Sequence, residues 1–200
     1  MKEARYFYVP NAALETELPA EEAVHATRVL RLKEGDELFL MDGEGCFYQA
    51  EVALATSKKC LYTIKETLQQ ELVWRGKIHL AIAPTKDMGR IEWMTEKATE
   101  VGFDEISFLD CKFSERKTLR ADRIEKIVIS AVKQSRKGWK PVVNPMTPFR
   151  RFIENCSNNG QKFICHCYPE IPRADFFTAI SQEEQPSSAE DITVLVGPEG

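Results

Sequence analysis

The period of the apolar residues changes partway along the chain. In the first 70 residues short apolar runs are cut by turn residues. Arg5-Tyr-Phe-Tyr-Val9 stops at Pro10, Leu38-Phe-Leu-Met41 runs into Asp42-Gly43, and Phe47 to Leu54 connects to Cys60 to Leu68 through Lys58-Lys59. Such runs, rich in aromatic and β-branched residues, predict strands, and an Asp-Gly pair after one of them predicts a hairpin. Pro19 to Leu30 predicts a short helix: proline suits its start, and Glu21 and Glu22 favour the positive end of its dipole. Residues 1–70 are expected to form a small β-barrel domain, followed by a linker near Gln69 to Gly76.

Beyond the linker, strands alternate with helices. Ile78 to Ala83 is an apolar strand ended by Pro84. Ile91, Met94, Ala98 and Val101 share one helix face, and Gly102 caps that helix. Glu105 to Leu109 is the next strand. Asp122 with Glu125 has the form of a capping box, and Ile124, Ile127, Val128, Ala131 and Ser135 mark the inner face of a second helix stopped by Gly138 and Pro141. Phe163 to Cys167 is a strand with short helices on either side, around Phe149–Asn155 and Ala174–Ile180; Ile192–Val196 is the last strand. Alternation of this kind predicts right-handed crossovers and a mostly parallel sheet over residues 75–200.

The final strand runs into Gly197-Pro-Glu-Gly200. Glycines let a backbone turn sharply and approach a ligand, and a loop at the carboxyl end of a parallel strand is where open α/β sheets bind small molecules. An ordinary tight strand exit is the alternative. No helix follows to cover the strand, so a truncated or incomplete domain is expected.

Charge adds a second candidate region. The chain carries −4 overall, but Lys112 to Lys140 holds ten Lys/Arg against three acids, so this stretch is +7 and the remainder −11. A localised basic stripe suits a polyanionic partner. Arg123, Lys126, Ser130, Lys133 and Lys137 fall on one ridge of the second helix, a pattern fitted to phosphate contacts, with a solvated face as the alternative. Phe113-Ser-Glu-Arg-Lys117 follows a strand end, and the fork of Arg116 can grip a phosphate or base edge. Glu92, Glu96 and Glu100 form a stripe expected to be solvated or to face a second subunit. Cys165, His166 and Cys167 cannot all point one way from a strand, so no metal is expected. His25 and His79 are expected to be packing residues. The six cysteines lack C-x-x-C spacing and no apolar leader stands at the amino end, which predicts reduced thiols and a cytoplasmic protein. No apolar run approaches the ~20 residues of a membrane span. Triad order, Walker loop and G-x-G-x-x-G are all missing, which disfavours acyl transfer, NTP hydrolysis and dinucleotide chemistry.

Six segments in order carry a resemblance: Arg28-Val-Leu-Arg-Leu-Lys-Glu-Gly-Asp36, Asp42-Gly-Glu-Gly45, Lys97-Ala-Thr-Glu-Val-Gly102, Phe113-Ser-Glu-Arg116, Gln134-Ser135 and Leu195-Val-Gly-Pro-Glu-Gly200. Together they resemble the RsmE family of ribosomal RNA uridine-N3 methyltransferases. The resemblance implies a PUA-like barrel, then a SPOUT-type α/β domain with a trefoil knot, S-adenosylmethionine as donor, small-subunit (16S) ribosomal RNA as substrate, and a homodimer that completes the site. For that chemistry Arg116, supplied within the chain or across the dimer, is the first candidate to stabilise charge on the base oxygens and Arg136 the second, with Glu199 or Glu115 to take the proton. The donor pocket is expected from Tyr168, Pro169, Glu170, Leu195, Gly197, Pro198, Glu199 and Gly200. RNA contacts are expected from Arg5, Arg28, Arg31, Lys117, Arg123, Lys126, Lys133 and Lys137. The chain departs from the family at Lys133, where a Glu is usual, and family members continue past Gly200 with the second half of the knot. A non-catalytic RNA-binding protein using the barrel and the basic helix is the alternative function.

Overall fold

A computed structural model of the chain describes residues 5–156, 160–181 and 191–198. They pack into two compact units. One runs to Leu72 and takes in Ile129–Lys140; the other comprises Val73–Val128 and continues from Pro141.

The first unit is built on a four-stranded sheet in the order β1-β2-β3-β4: β1 (Tyr6–Tyr8), β2 (Glu37–Met41), β3 (Cys46–Ala55) and β4 (Cys60–Gln69). β2, β3 and β4 are antiparallel, and β1 joins β2 in parallel. The Asp42-Gly43 signal works through the carboxylate: Oδ1 accepts from the backbone N–H of Glu44 (2.7 Å) and Cys46 (3.0 Å), and Oδ2 from the Tyr48 hydroxyl (3.0 Å). Phe7, Val9, Leu38, Leu40, Ala50 and Val52 fill the core with Ala23 and Ala26 of the helical segment. Each such apolar side chain of Val or Leu size stabilises by about 1.5–3 kcal/mol relative to exposure. The helix expected over Pro19–Leu30 is found as α1 (Ala20–Val24) continued by a π-turn over His25–Val29, where the N–H of Leu30 reaches back to the carbonyl of His25.

The second unit holds β5 (Ile78–Ile82), α2 (Met88–Val101), β6 (Glu105–Asp110), the first half of α3 (Ala121–Ser135), β7 (Val142–Val143), β8 (Thr147–Pro148), α4 (Phe149–Asn155), β9 (Gln161–Cys165), α5 (Phe176–Ser181) and β10 (Ile192–Val196). Its sheet runs β7-β6-β5-β10-β9, with β8 also on β6, and every pairing is parallel. Ala81, Ala83, Leu109 and Leu195 cluster with Phe152 of α4. Ile106 and Phe108 are buried as well, as a sheet covered on both faces requires.

Two local expectations are corrected. The buried stripe of α2 is Ile91, Thr95 and Thr99, while Val101 is 81% exposed. The side chains follow the i, i+4 ridge, and Thr99 enters the core because its hydroxyl donates to the Thr95 carbonyl (2.7 Å). Asp122 with Glu125 is not a capping box. α3 starts at Ala121, so Asp122 lies inside the first turn, where Arg120 Nη2 binds its carboxylate (2.8 Å) and holds it below the ordinary carboxylate range. The cap that local reasoning missed is Asp87 at the start of α2, which accepts from the N–H of Gly89 (2.9 Å).

Candidate functional site

Parallel strands end side by side, so the loops after β5, β6, β9 and β10 emerge along one edge of the second unit. The N–H of Ala83 after β5 donates to the carbonyl of Val196 at the end of β10 (2.9 Å), which joins the two exits. Arg116 ties in the β6 exit. Its Nη2 donates to the carbonyl of Lys86 (2.6 Å) and its Nε lies 3.4 Å from the carbonyl of Thr85. A guanidinium has five donors, so part of the fork remains for a ligand. Arg116 also lines two adjoining cavities of about 330 and 360 Å³; Lys86, Glu115 and Lys117 line one, Glu92, Arg120 and Arg123 the other.

The loop itself is braced. Ser114, buried, accepts at Oγ from the N–H of Cys111 (3.1 Å), and Lys117 Nζ donates to Asp110 Oδ1 (2.7 Å) and the Cys111 carbonyl (2.8 Å). Lys117 is therefore a brace of the loop. Glu115 lies on the surface, 3.6 Å from Lys86 Nζ. Burial pushes the Cys111 thiol up, which keeps it protonated and unreactive.

At the β10 exit, a Cβ built on Gly197 would meet nothing within 4 Å, so the backbone there borders open space. The side chain of Leu195, 7% exposed, belongs to the core, leaving only its backbone for a ligand. Tyr168, Pro169 and Glu170 lie exposed after β9, with the Tyr168 ring stacked on His166 (6.3 Å between centroids). Glu199 and Gly200 lie outside the described residues.

The basic ridge of α3 is partly consumed by ion pairs. Arg123 Nε lies 2.6 Å from Glu92 Oε1 and its Nη2 2.8 Å from Oε2, so both the ridge and the acidic stripe of α2 are cross-linked at that point. Glu96 and Glu100 both bind Lys97 at 2.8 Å, which raises the Lys97 pKa. In the first unit, Lys133 Nζ lies 2.6 Å from Glu22 Oε1, both side chains largely shielded. Arg136 also belongs to the first unit, at φ 54° just past α3, its guanidinium 5.2 Å from the Tyr6 ring centre. Arg28 and Arg31 are exposed there, Arg5 is half-buried, Lys126 is exposed on α3, and Lys137 lies beyond the helix end.

A separate cavity of about 460 Å³ opens at the amino ends of the same strands. His79 Nε2 and Asn144 Nδ2 both lie 2.9 Å from Ser107 Oγ, and Asn144 Nδ2 also donates to Glu105 Oε1 (2.6 Å). Burial lowers the His79 pKa against the pull of Glu105. Ser107 is thus held by two side chains, and the site stands at the end of the sheet away from the exits that carry Arg116. Among the described residues no group of three or more His, Cys, Asp or Glu could hold a metal, and no helix is long and apolar enough to cross a membrane. All six cysteines are free thiols.

A parallel α/β unit with a cationic loop and open backbone at its strand exits has the arrangement in which open α/β sheets bind ligands. Comparison with known proteins specifies it further. A family model described as an RNA methyltransferase domain matches residues 73–200, and one described as an RNA methyltransferase PUA domain matches residues 18–65. The chain belongs to the RNA methyltransferase family. A probable rRNA-methyltransferase of Porphyromonas gingivalis is 36% identical, with a TM-score of 0.83 over 98% of this chain and 80% of that one. Ribosomal RNA small subunit methyltransferase E of Rickettsia conorii is 25% identical over 185 residues, 92% of this chain and 72% of its own length. The fold is shared with the same-named enzyme of Neisseria gonorrhoeae, crystallised bound to S-adenosyl methionine (21% identity, TM-score 0.79, 99% of this chain and 81% of that one). The expected α/β architecture with its PUA-like partner stands.

Proposed function

We propose that the chain methylates N3 of a uridine in small-subunit (16S) ribosomal RNA, with S-adenosylmethionine as donor. The observation that carries this reading is Arg116, clamped by the carbonyl of Lys86 at the same edge of the sheet as the backbone that borders open space at Gly197. The names of the relatives support the rRNA substrate, and the bound ligand of the Neisseria enzyme supports the donor.

The donor supplies an activated methyl on a sulfonium when bound. The residues of this chain that fit it are the backbone of Leu195 and Gly197, Pro198, and the β9 exit at Tyr168, Pro169 and Glu170; Glu199 and Gly200 are pocket candidates from the sequence. Their contribution is alignment, which matters most for an in-line displacement. Arg116 stabilises negative charge on the uracil oxygens as N3 loses its proton. Glu115, 3.6 Å from Lys86 Nζ, is a base candidate, with Glu199 as the other. Arg28 and Arg31, with Arg5, bind the RNA backbone from the PUA-like unit. A homodimer, in which a second subunit closes the site, and a trefoil knot belong to the same proposal, as does a cytoplasmic location.

The test is incorporation of labelled methyl from S-adenosylmethionine into 16S ribosomal RNA, followed by nuclease digestion and chromatography. A peak at 3-methyluridine is expected. Label in another nucleoside refutes the N3 assignment, and RNA binding with no label favours the non-catalytic alternative.

A further inference from the structure

We propose that Phe113 is a stacking platform for an unpaired base of the RNA substrate, a role that rests on the reading above. Phe113 is 69% exposed, although a ring of that size is ordinarily buried. Its position does not follow from a loose loop. The neighbouring Ser114 is buried and bonded twice to Cys111, through its hydroxyl and its own N–H (3.1 Å each), and Lys117 staples the loop to Asp110. The backbone is fixed on both sides while the ring is held in water.

The surroundings indicate the partner. Lys112 to Arg120 carries four cations and one acid. Lys112 Nζ lies 5.3 Å from the ring centre of Phe113, on a path that phosphates flanking a stacked base would follow. Lysines are depleted from the centres of protein–protein interfaces, whereas an aromatic face among cations is the usual composition of a single-strand binding surface. Stacking tolerates any base, so Phe113 contributes grip and position and leaves sequence selection to other groups. The loop also holds Arg116, three residues further on, so a base on Phe113 would be held by the same loop as that guanidinium.

The experiment uses the whole chain and a uridine decamer carrying one 2-aminopurine, whose fluorescence is quenched by stacking. Wild-type protein is expected to bind and quench. Phe113→Leu keeps apolar bulk and removes the ring. It should weaken binding roughly 5- to 150-fold, the range that base–aromatic stacking of ~1–3 kcal/mol corresponds to, and abolish the added quench. Phe113→Tyr should restore both. The slope of affinity against salt should not change, since no phosphate contact is lost. Phe113→Leu binding within twofold of wild type, with quenching intact, overturns the proposal alone. So does loss of self-association in sedimentation with RNA affinity unchanged, which would assign the ring to a subunit contact. Wild-type protein that binds no RNA overturns the proposal and the underlying reading together.

Discussion

Arg116→Lys separates the two tasks of this side chain. The lysine keeps the charge but has no planar fork, so it cannot hold the Lys86 carbonyl and a ligand oxygen together. The stability cost follows from the bonds. A charged hydrogen bond contributes about 1.5–3 kcal/mol, and the second contact, at 3.4 Å, adds little. Arg116 is half-exposed and lysine recovers part of the interaction, so a loss of about 1 kcal/mol is expected, equivalent to a melting shift of about 2–4 °C for a chain of this size. The catalytic cost should be larger. Removing one preorganised donor from a developing oxyanion lowers kcat by roughly 10²–10³. Methyl incorporation at saturating donor and RNA, with melting and RNA affinity measured in parallel, resolves the three quantities. The expected result is a fall in kcat of about 100-fold, with RNA affinity nearly unchanged. A kcat within about threefold of wild type, despite the melting shift, would show that Arg116 only braces the loop and that the catalytic assignment is wrong.

Three further outcomes are expected. Lys133→Glu sets a second carboxylate against Glu22 and should cost about 3 kcal/mol in denaturant unfolding, and the exchange Glu22→Lys with Lys133→Glu should recover most of it; no recovery would deny that the pair holds the helix. Gly45→Ala meets both a left-handed backbone (φ 101°) and the Trp139 ring, and should lose at least about 3 kcal/mol, whereas Gly35→Ala (φ 84°, open space) should lose about 1; equal losses would mean the indole moves aside. Because burial keeps His79 below its ordinary value, the unfolded chain takes up the proton first as pH falls. Stability is therefore full above about pH 6.5 and declines toward the native value, by at most about 1.4 kcal/mol per pH unit. Melting of wild type against His79→Gln between pH 6.5 and 5 checks this, and parallel curves would refute it.

Much of the architecture could be read from local pattern, because strand runs and turn chemistry act over a few residues. The Asp42-Gly43 hairpin is such a case: one carboxylate satisfies two amides and a hydroxyl within six residues. Long-range pairings are a different matter. The ridge on α3 could be drawn from periodicity, but nothing local indicates that Glu92 and Glu22, 31 and 111 residues away, neutralise Arg123 and Lys133. That Ile129–Lys140 pack with the first unit is equally invisible to a periodicity shared by the whole helix. For the candidate site, the position after a strand end pointed to Arg116, and the same rule applied to Pro84-Thr-Lys86 would have found the carbonyls that hold it. Val101 was misplaced because a threonine whose hydroxyl bonds its own helix can replace an apolar residue in the core.

The place of β10 has a consequence for how the second unit is made. Residues Ile192–Val196 lie between β5 and β9 in the sheet, yet they are the last of the described strands along the chain. Until they emerge, β5 presents one bare edge, and β9 has no neighbour in the described sheet. Closing the sheet between β5 and β9 is therefore a long-range event, with a period in which unpaired strands are exposed to neighbouring nascent chains.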